Sequence, residues 1–135
     1  MRYKTYIYEK GIGPEDTWFN GGASSWIETI LYDDEGIAFS SDGSPNFFAD
    51  TKIDLTDIDI LYFDMSTETK DNVECIVHDK QVPYTTSVFV AEAMSTGGLT
   101  SLDVSALQGE YYYGFEIIGG SSSKSNPFYC YNIYY

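Results

Sequence analysis

Sugar recognition needs flat aromatic faces that stack on C–H bonds, with carboxylates and amides beside them to hydrogen-bond hydroxyls. The segment EDTWFNGG, Glu15 to Gly22, brings all three together between glycines: Asp16, Trp18, Phe19 and Asn20. Trp26 adds a further ring, and Phe47 and Phe48 stand beside Asn46 and Asp50. The competing reading is that Trp18 and Phe19 close one end of the core. Adjacent strand residues face opposite ways, so one of Phe47 and Phe48 is expected inside. Tyr112 falls on the polar alternation of its strand. Tyr129 and Tyr131 share a face opposite Phe128 and Cys130, and Tyr134 and Tyr135 end the chain. An exposed tyrosine row serves as a glycan platform or as a subunit contact.

Other chemistry has less to stand on. Asp33, Asp34, Asp42 and Asp50 lie in turn-rich stretches and are the candidate oxygen ligands for a structural Ca²⁺, although no EF-hand spacing is present. Cys75 and His78, three apart on a strand, face opposite sides, which argues against a nucleophilic dyad or a transition-metal pair. His78 is expected at the surface before the DKQVP turn. With no nucleophile elbow and no pair of acids set apart for glycoside hydrolysis, the expectation is a chain that is not an enzyme. Cys75 and Cys130 read as two buried thiols rather than a disulfide.

These residues must be positioned by β structure. The 135 residues, 43% of them hydrophobic and 17% aromatic, suit one domain over residues 1–135 with a single core. Thirteen tyrosines favour strands, where a ring is buried and its hydroxyl stays wet. Period-2 runs between turn signals predict strands at Tyr3–Tyr8, Trp26–Tyr32, Gly36–Ser40, Ile53–Leu55, Ile58–Met65, Val73–His78, Thr86–Glu92, Thr100–Val104, Tyr111–Ile118 and Phe128–Tyr134. Ile58–Met65 reads as a central strand covered on both faces. In the Tyr111–Ile118 strand, Tyr111, Tyr113, Phe115 and Ile117 form an apolar face backed by Tyr112, Gly114 and Glu116. DDEG, Asp33 to Gly36, has the composition of a tight hairpin. The expected fold is all-β, a two-sheet antiparallel sandwich of jelly-roll type with about ten short strands.

One local device occurs twice. Asp54-Leu55-Thr56 and Asp103-Val104-Ser105 each set an acid, an apolar residue and a hydroxyl before an aromatic strand. Asp and Thr or Ser bond nearby backbone where a strand ends. Leu55 and Val104 are then expected to plug the core from two matching corners.

The net charge is −14. An acidic surface repels phosphates, so neither nucleic acid nor anionic membrane is an expected partner. The opening MRYKTYIYEKGIGPED lacks the continuous apolar run of a signal peptide.

IDLTDIDILYFD and LDVSALQGEYYYGFEIIGGSSSKSNPFYCYNIYY, together with the opening YIYEKGIGPEDTWFNGG, resemble a recurrent β-sandwich domain of phage and prophage tail proteins. The pattern departs in the first loop, where Trp18 and Phe19 precede Gly21-Gly22 rather than follow them. The resemblance implies a jelly roll similar to galactose-binding-like and carbohydrate-binding modules. It implies a place in a virion tail or fibre, or as a module of a larger extracellular protein. Its implied partners are a host cell-surface polysaccharide or other tail subunits, including copies of itself. An accessory module of a glycan-degrading enzyme is the remaining alternative. A structural calcium ion is the one cofactor it suggests.

Overall fold

The computed structural model describes residues 4–9, 18–20, 27–33, 36–41, 46–49, 51–65, 72–80, 89–95, 97–118 and 128–135. Twelve strands follow in order: β1 (Tyr6–Glu9), β2 (Trp18–Asn20), β3 (Ile27–Asp33), β4 (Gly36–Ser41), β5 (Asn46–Ala49), β6 (Ile53–Asp54), β7 (Ile60–Met65), β8 (Asn72–His78), β9 (Ala91–Ser95), β10 (Gly98–Asp103), β11 (Glu110–Ile118) and β12 (Phe128–Tyr134). Sheet A has the order β10-β7-β12-β4-β3, with β1 also paired to β12, and sheet B has the order β2-β5-β11-β8-β9, with β6 also paired to β11. Every ladder among the described residues is antiparallel. The all-β two-sheet sandwich expected from period-2 patterning is the observed architecture.

The two sheets enclose one apolar layer. Ile37, Leu61, Phe63, Leu102, Cys130 and Ile133 enter it from sheet A, and Val73, Cys75, Val77, Tyr113 and Phe115 from sheet B. At its centre the rings of Phe63 and Phe115 meet edge to face across the sheets, 5.6 Å between centroids at 77°. One end is closed by a polar contact: Thr100 Oγ1 donates to Ser95 Oγ at 2.7 Å, both residues buried, where the chain passes from β9 to β10.

The twice-used device forms the other end, and it is reciprocal. Asp54 Oδ1 accepts from the Thr56 amide at 2.9 Å, and Asp103 Oδ1 accepts from the Ser105 amide at 2.9 Å. Each corner is closed by a turn, with the Ile58 amide donating to the Leu55 carbonyl and the Leu107 amide to the Val104 carbonyl. Leu55 then donates its amide to the Gly109 carbonyl beyond the second corner, and Val104 donates to the Asp59 carbonyl beyond the first, at 2.8 and 2.9 Å. The Thr56 hydroxyl also accepts from the Gly109 amide at 2.9 Å. The strand leaving each corner pairs with the strand entering the other: β7 with β10 in sheet A, and β11 with β6 in sheet B. Leu55 and Val104 lie within the core, 0% and 1% exposed.

The sequence expectations differ from the structure at particular places. Trp18–Asn20 and Asn46–Ala49, read as loop, are short strands paired with each other, Phe19 opposite Phe48. They are too brief for alternation to show. β7 begins at Ile60 rather than Ile58, because the first corner occupies the two preceding residues. Only one of its faces is fully covered: Leu61, Phe63 and Met65 are buried while Ile60, Tyr62 and Asp64 are half-buried. The strand expected over Thr86–Glu92 is observed as Ala91–Ser95, and residues 81–88 lie outside the described residues. β3 and β4 pair antiparallel with Asp33 opposite Gly36, while Asp34 and Glu35 of DDEG lie outside the described residues.

Because each corner ties both sheets, emptying one is costly. Leu55→Ala is expected to lower unfolding free energy by about 2–4 kcal/mol in urea denaturation. Asp54→Ala, which removes only the exposed cap, is expected to lower the urea midpoint far less than Leu55→Ala does.

Candidate functional site

The outer face of sheet A depends on a break in alternation. Cys130 and Ile133 are three apart, and strict pleating sends such residues to opposite sides. The β12–β7 register shifts between Cys130 and Asn132, so one extra residue is accommodated there. Cys130 and Ile133 therefore both enter the core, fully buried, while Tyr129, Tyr131 and Tyr134 are half-buried on the outside. The bulge leans on Gly36. A Cβ at that position would meet the Cys130 carbonyl oxygen at 2.5 Å and the Tyr131 Cα at 3.1 Å, and its φ is +129°. Only glycine fits both the space and the backbone conformation.

Two tyrosine groups result. Tyr129 and Tyr131 stack at 6.1 Å and 10°. Further along, Tyr62 of β7 stacks on Tyr134 of β12 at 5.2 Å and 19°, and Tyr6 of β1 tilts against Tyr134 at 5.6 Å. The Lys4 ammonium lies 4.7 Å from the centre of the Tyr134 ring, within cation–π range. The Asn132 amide donates to Asp64 Oδ2 at 3.1 Å. Tyr62 also lines an open cleft of about 300 Å³ together with Asp57, Ile58, Asp59, Ile60 and Tyr135. The cleft is built on the first corner, and the C-terminal edge is fixed by the Thr5 and Tyr135 backbones, which exchange hydrogen bonds of 2.8 and 3.0 Å. Rings, aliphatic wall and carboxylates thus converge on one concave spot. That combination can stack on a sugar and accept from its hydroxyls.

The outer face of sheet B is arranged differently. Phe48 and Ile76 are buried there under Phe89, with Tyr112 packed against them, and His78 stands edge-on to Phe89 at 5.9 Å. His78 is half-buried rather than exposed, its Nδ1 3.2 Å from Asp79 Oδ1. Tyr112, named from the sequence as a glycan contact, is half-buried and carries the Lys52 ammonium at 5.1 Å. Glu116, assigned to a polar face, is only 6% exposed and sits opposite Glu74 in the β11–β8 ladder. Burial, reinforced by the charges of Glu74 and Glu92, pushes its carboxyl up to about 7. Glu74 is also raised, first by burial, then by the charge of Glu92 and a hydrogen bond with it.

The first-choice sequence candidates fall apart in space from the cleft. Trp18, Phe19 and Asn20 form β2 at the edge of sheet B, and Asp16 lies outside the described residues. Of the proposed calcium ligands, Asp33 ends β3, while Asp34, Asp42 and Asp50 lie outside the described residues. Among the described residues no group of three His, Cys, Asp or Glu side chains is placed to hold a metal. Cys75 and Cys130 are free, buried thiols, both pushed upward chiefly by burial. Cys75 lies in the main core and His78 on the opposite face of β8, as parity requires. Sequence reading named Tyr134 and Tyr135 but missed Tyr62, Asp57 and Asp59, which it had assigned to a doubly covered strand and a turn. The signal was the half-polar alternation of ILYFDM itself.

Comparison with known proteins gives no matching family model, curated protein or solved structure.

Two outcomes test this geometry. Gly36→Ala is expected to destabilise the chain by about 2 kcal/mol or more, read by urea midpoint, because the bulge carbonyl occupies the space of its methyl. Glu116 holds a proton in the folded chain that an ordinary carboxyl at 4.5 has released once unfolded. Its contribution is therefore full below about pH 4.5 and is lost as pH rises through about 7. Glu116→Gln is expected to flatten that decline and to raise stability at pH 8 by something on the order of 2 kcal/mol.

Proposed function

We propose that this chain is a non-catalytic glycan-binding β-sandwich domain whose working surface is the tyrosine row and cleft of sheet A. The observation that carries the reading is the Tyr62–Tyr134 stack running into a cleft lined by Asp57, Asp59, Ile58 and Ile60. Aromatic carbon and aliphatic wall would cover a pyranose face, and the two carboxylates would accept its hydroxyl protons. With the resemblance of its corner motifs to tail domains, we place the chain in a phage or prophage tail or fibre protein, where it recognises polysaccharide on the host surface. The jelly-roll, galactose-binding-like class belongs to the same proposal.

A second reading, an assembly module, is favoured by Leu99, 57% exposed on the edge strand β10, and by Tyr6, 41% exposed on β1. Both belong to the same sheet as the cleft, so a neighbouring subunit or a second copy would compete with glycan for it.

Titration with host cell-wall polysaccharide fragments, followed by calorimetry or by tyrosine NMR shifts, separates the two. Glycan binding predicts saturable binding by a monomer, weakened at least tenfold by Tyr62→Ala with the fold intact by circular dichroism. Assembly predicts a defined oligomer by light scattering that Leu99→Glu disperses, with no glycan signal.

A further inference from the structure

On the glycan reading above, the charge and donor pattern of the cleft narrow the ligand class. Every charged side chain lining it is a carboxylate, Asp57 and Asp59; its other walls are Ile58, Ile60, Tyr62 and Tyr135. Carboxylates accept hydrogen bonds and do not donate them. Hydroxyl and ammonium groups suit such a wall, whereas acyl carbonyls, sulfates and uronates bring further acceptors and would leave oxygens facing oxygens. The surrounding surface points the same way, since a chain of net charge −14 repels anionic polymers at a distance.

The aromatic row supplies an independent observation. The Lys4 ammonium rests 4.7 Å from the Tyr134 ring centre, and Tyr134 stacks on Tyr62, the ring that enters the cleft. A primary ammonium is thus already held on this row by the chain itself, through the attraction of a cation to an electron-rich ring face. A ligand ammonium beside Tyr62 would meet the same ring chemistry, with two carboxylates added. The volume, about 300 Å³, is at the low end for ligand pockets and suits a single sugar residue with part of its neighbour.

We propose that the cleft selects glycans carrying free amino groups, binding a glucosamine-type residue with its ammonium between Asp57, Asp59 and the Tyr62 ring. The amine is the discriminating group; the sugar ring is held by the aromatic and aliphatic wall.

The test compares glucosamine trisaccharide with its fully N-acetylated counterpart on the intact chain, by calorimetry at pH 6 and low salt. Short oligomers are used so that polycation attraction to the acidic surface stays small. The free-amine trisaccharide is expected to bind about fivefold or more tighter, and 0.5 M salt to shrink the difference. The double variant Asp57→Asn, Asp59→Asn is expected to bring the two ligands within twofold of each other. Asn tolerates the left-handed backbone of Asp57, φ +67°, so the corner is preserved. Glu92→Gln, on the other sheet, controls for loss of surface charge and is expected to keep the preference. Equal or tighter binding of the N-acetylated sugar, or a preference that survives the double variant, overturns the amino-sugar assignment while leaving glycan binding in place. Binding of neither sugar, nor of any cell-wall fragment, overturns both.

Discussion

Two backbone hydrogen bonds, from Leu55 to Gly109 and from Val104 to Asp59, hold the sandwich together at its corner. They join the segments where the chain leaves one sheet for the other, so each fixes a register in both sheets at once. β7 can pair with β10, and β11 with β6, only if the two turns interlock at this depth. The short side chains set that depth. Asp54 and Asp103 occupy their own turn amides from outside, which leaves Leu55 and Val104 to point inward and fill the end of the core. A single such corner would tie its strand to one neighbour. A pair, each supplying the acceptor the other needs, satisfies the buried amides of Leu55 and Val104 at this end of the core. That is the physical reason for using the same short device twice.

The tyrosine face of sheet A follows from the same corner by way of β7. Ile58 and Asp59 complete the first turn, and the strand then delivers Tyr62 outward two residues after Ile60. Across the ladder Tyr134 must also face outward for the rings to meet, and uninterrupted alternation from Cys130 would bury it. The extra residue in β12 reverses the parity, and Gly36 on β4 gives the bulge carbonyl room. A glycine in one hairpin therefore decides which way tyrosines in another strand point. Such coupling is carried by backbone, not by side-chain contacts, and local sequence patterns do not register it.

This explains what could be read in advance. Long strands with clean alternation, such as Glu110–Ile118 and Asn72–His78, were legible because one face of each is continuous core. The paired corners were legible because an Asp two residues before a Thr or Ser carries its own hydrogen-bond geometry. The three-residue and four-residue strands at Trp18 and Asn46 were not, since they hold at most two repeats of the period-2 pattern they would have to show. The cleft was missed for a different reason. Asp57 and Asp59 look like ordinary turn acids until the C-terminal Tyr135 is brought beside them by pairing with Thr5, 130 positions away in a chain of 135. Thirteen tyrosines announced an aromatic surface without saying which of them would share it.

The two outer faces differ in what they leave open, which is why the proposed surface is the one on sheet A. A sheet face that binds must keep apolar area and hydrogen-bonding capacity open to solvent. On sheet B the rings of Phe48 and Phe89 turn inward over Ile76 to make a second small core, and Tyr112 packs on them. Its acids are drawn together instead of outward: Glu116 is buried opposite Glu74, and burial first, then the charges of Glu74 and Glu92, pushes its carboxyl towards the protonated form. On sheet A Tyr62 and Tyr134 stay half-buried, with Tyr6 and the Lys4 ammonium beside Tyr134. Their rings are fixed by stacking before any ligand arrives, so little rotamer freedom remains to be lost on binding. The carboxylates of the cleft stand on a turn held by the corner clasp rather than on a free loop. For the proposed site, the first corner supplies the acceptors and the open side, and the reversal of parity in β12 sets Tyr134 against the Tyr62 ring.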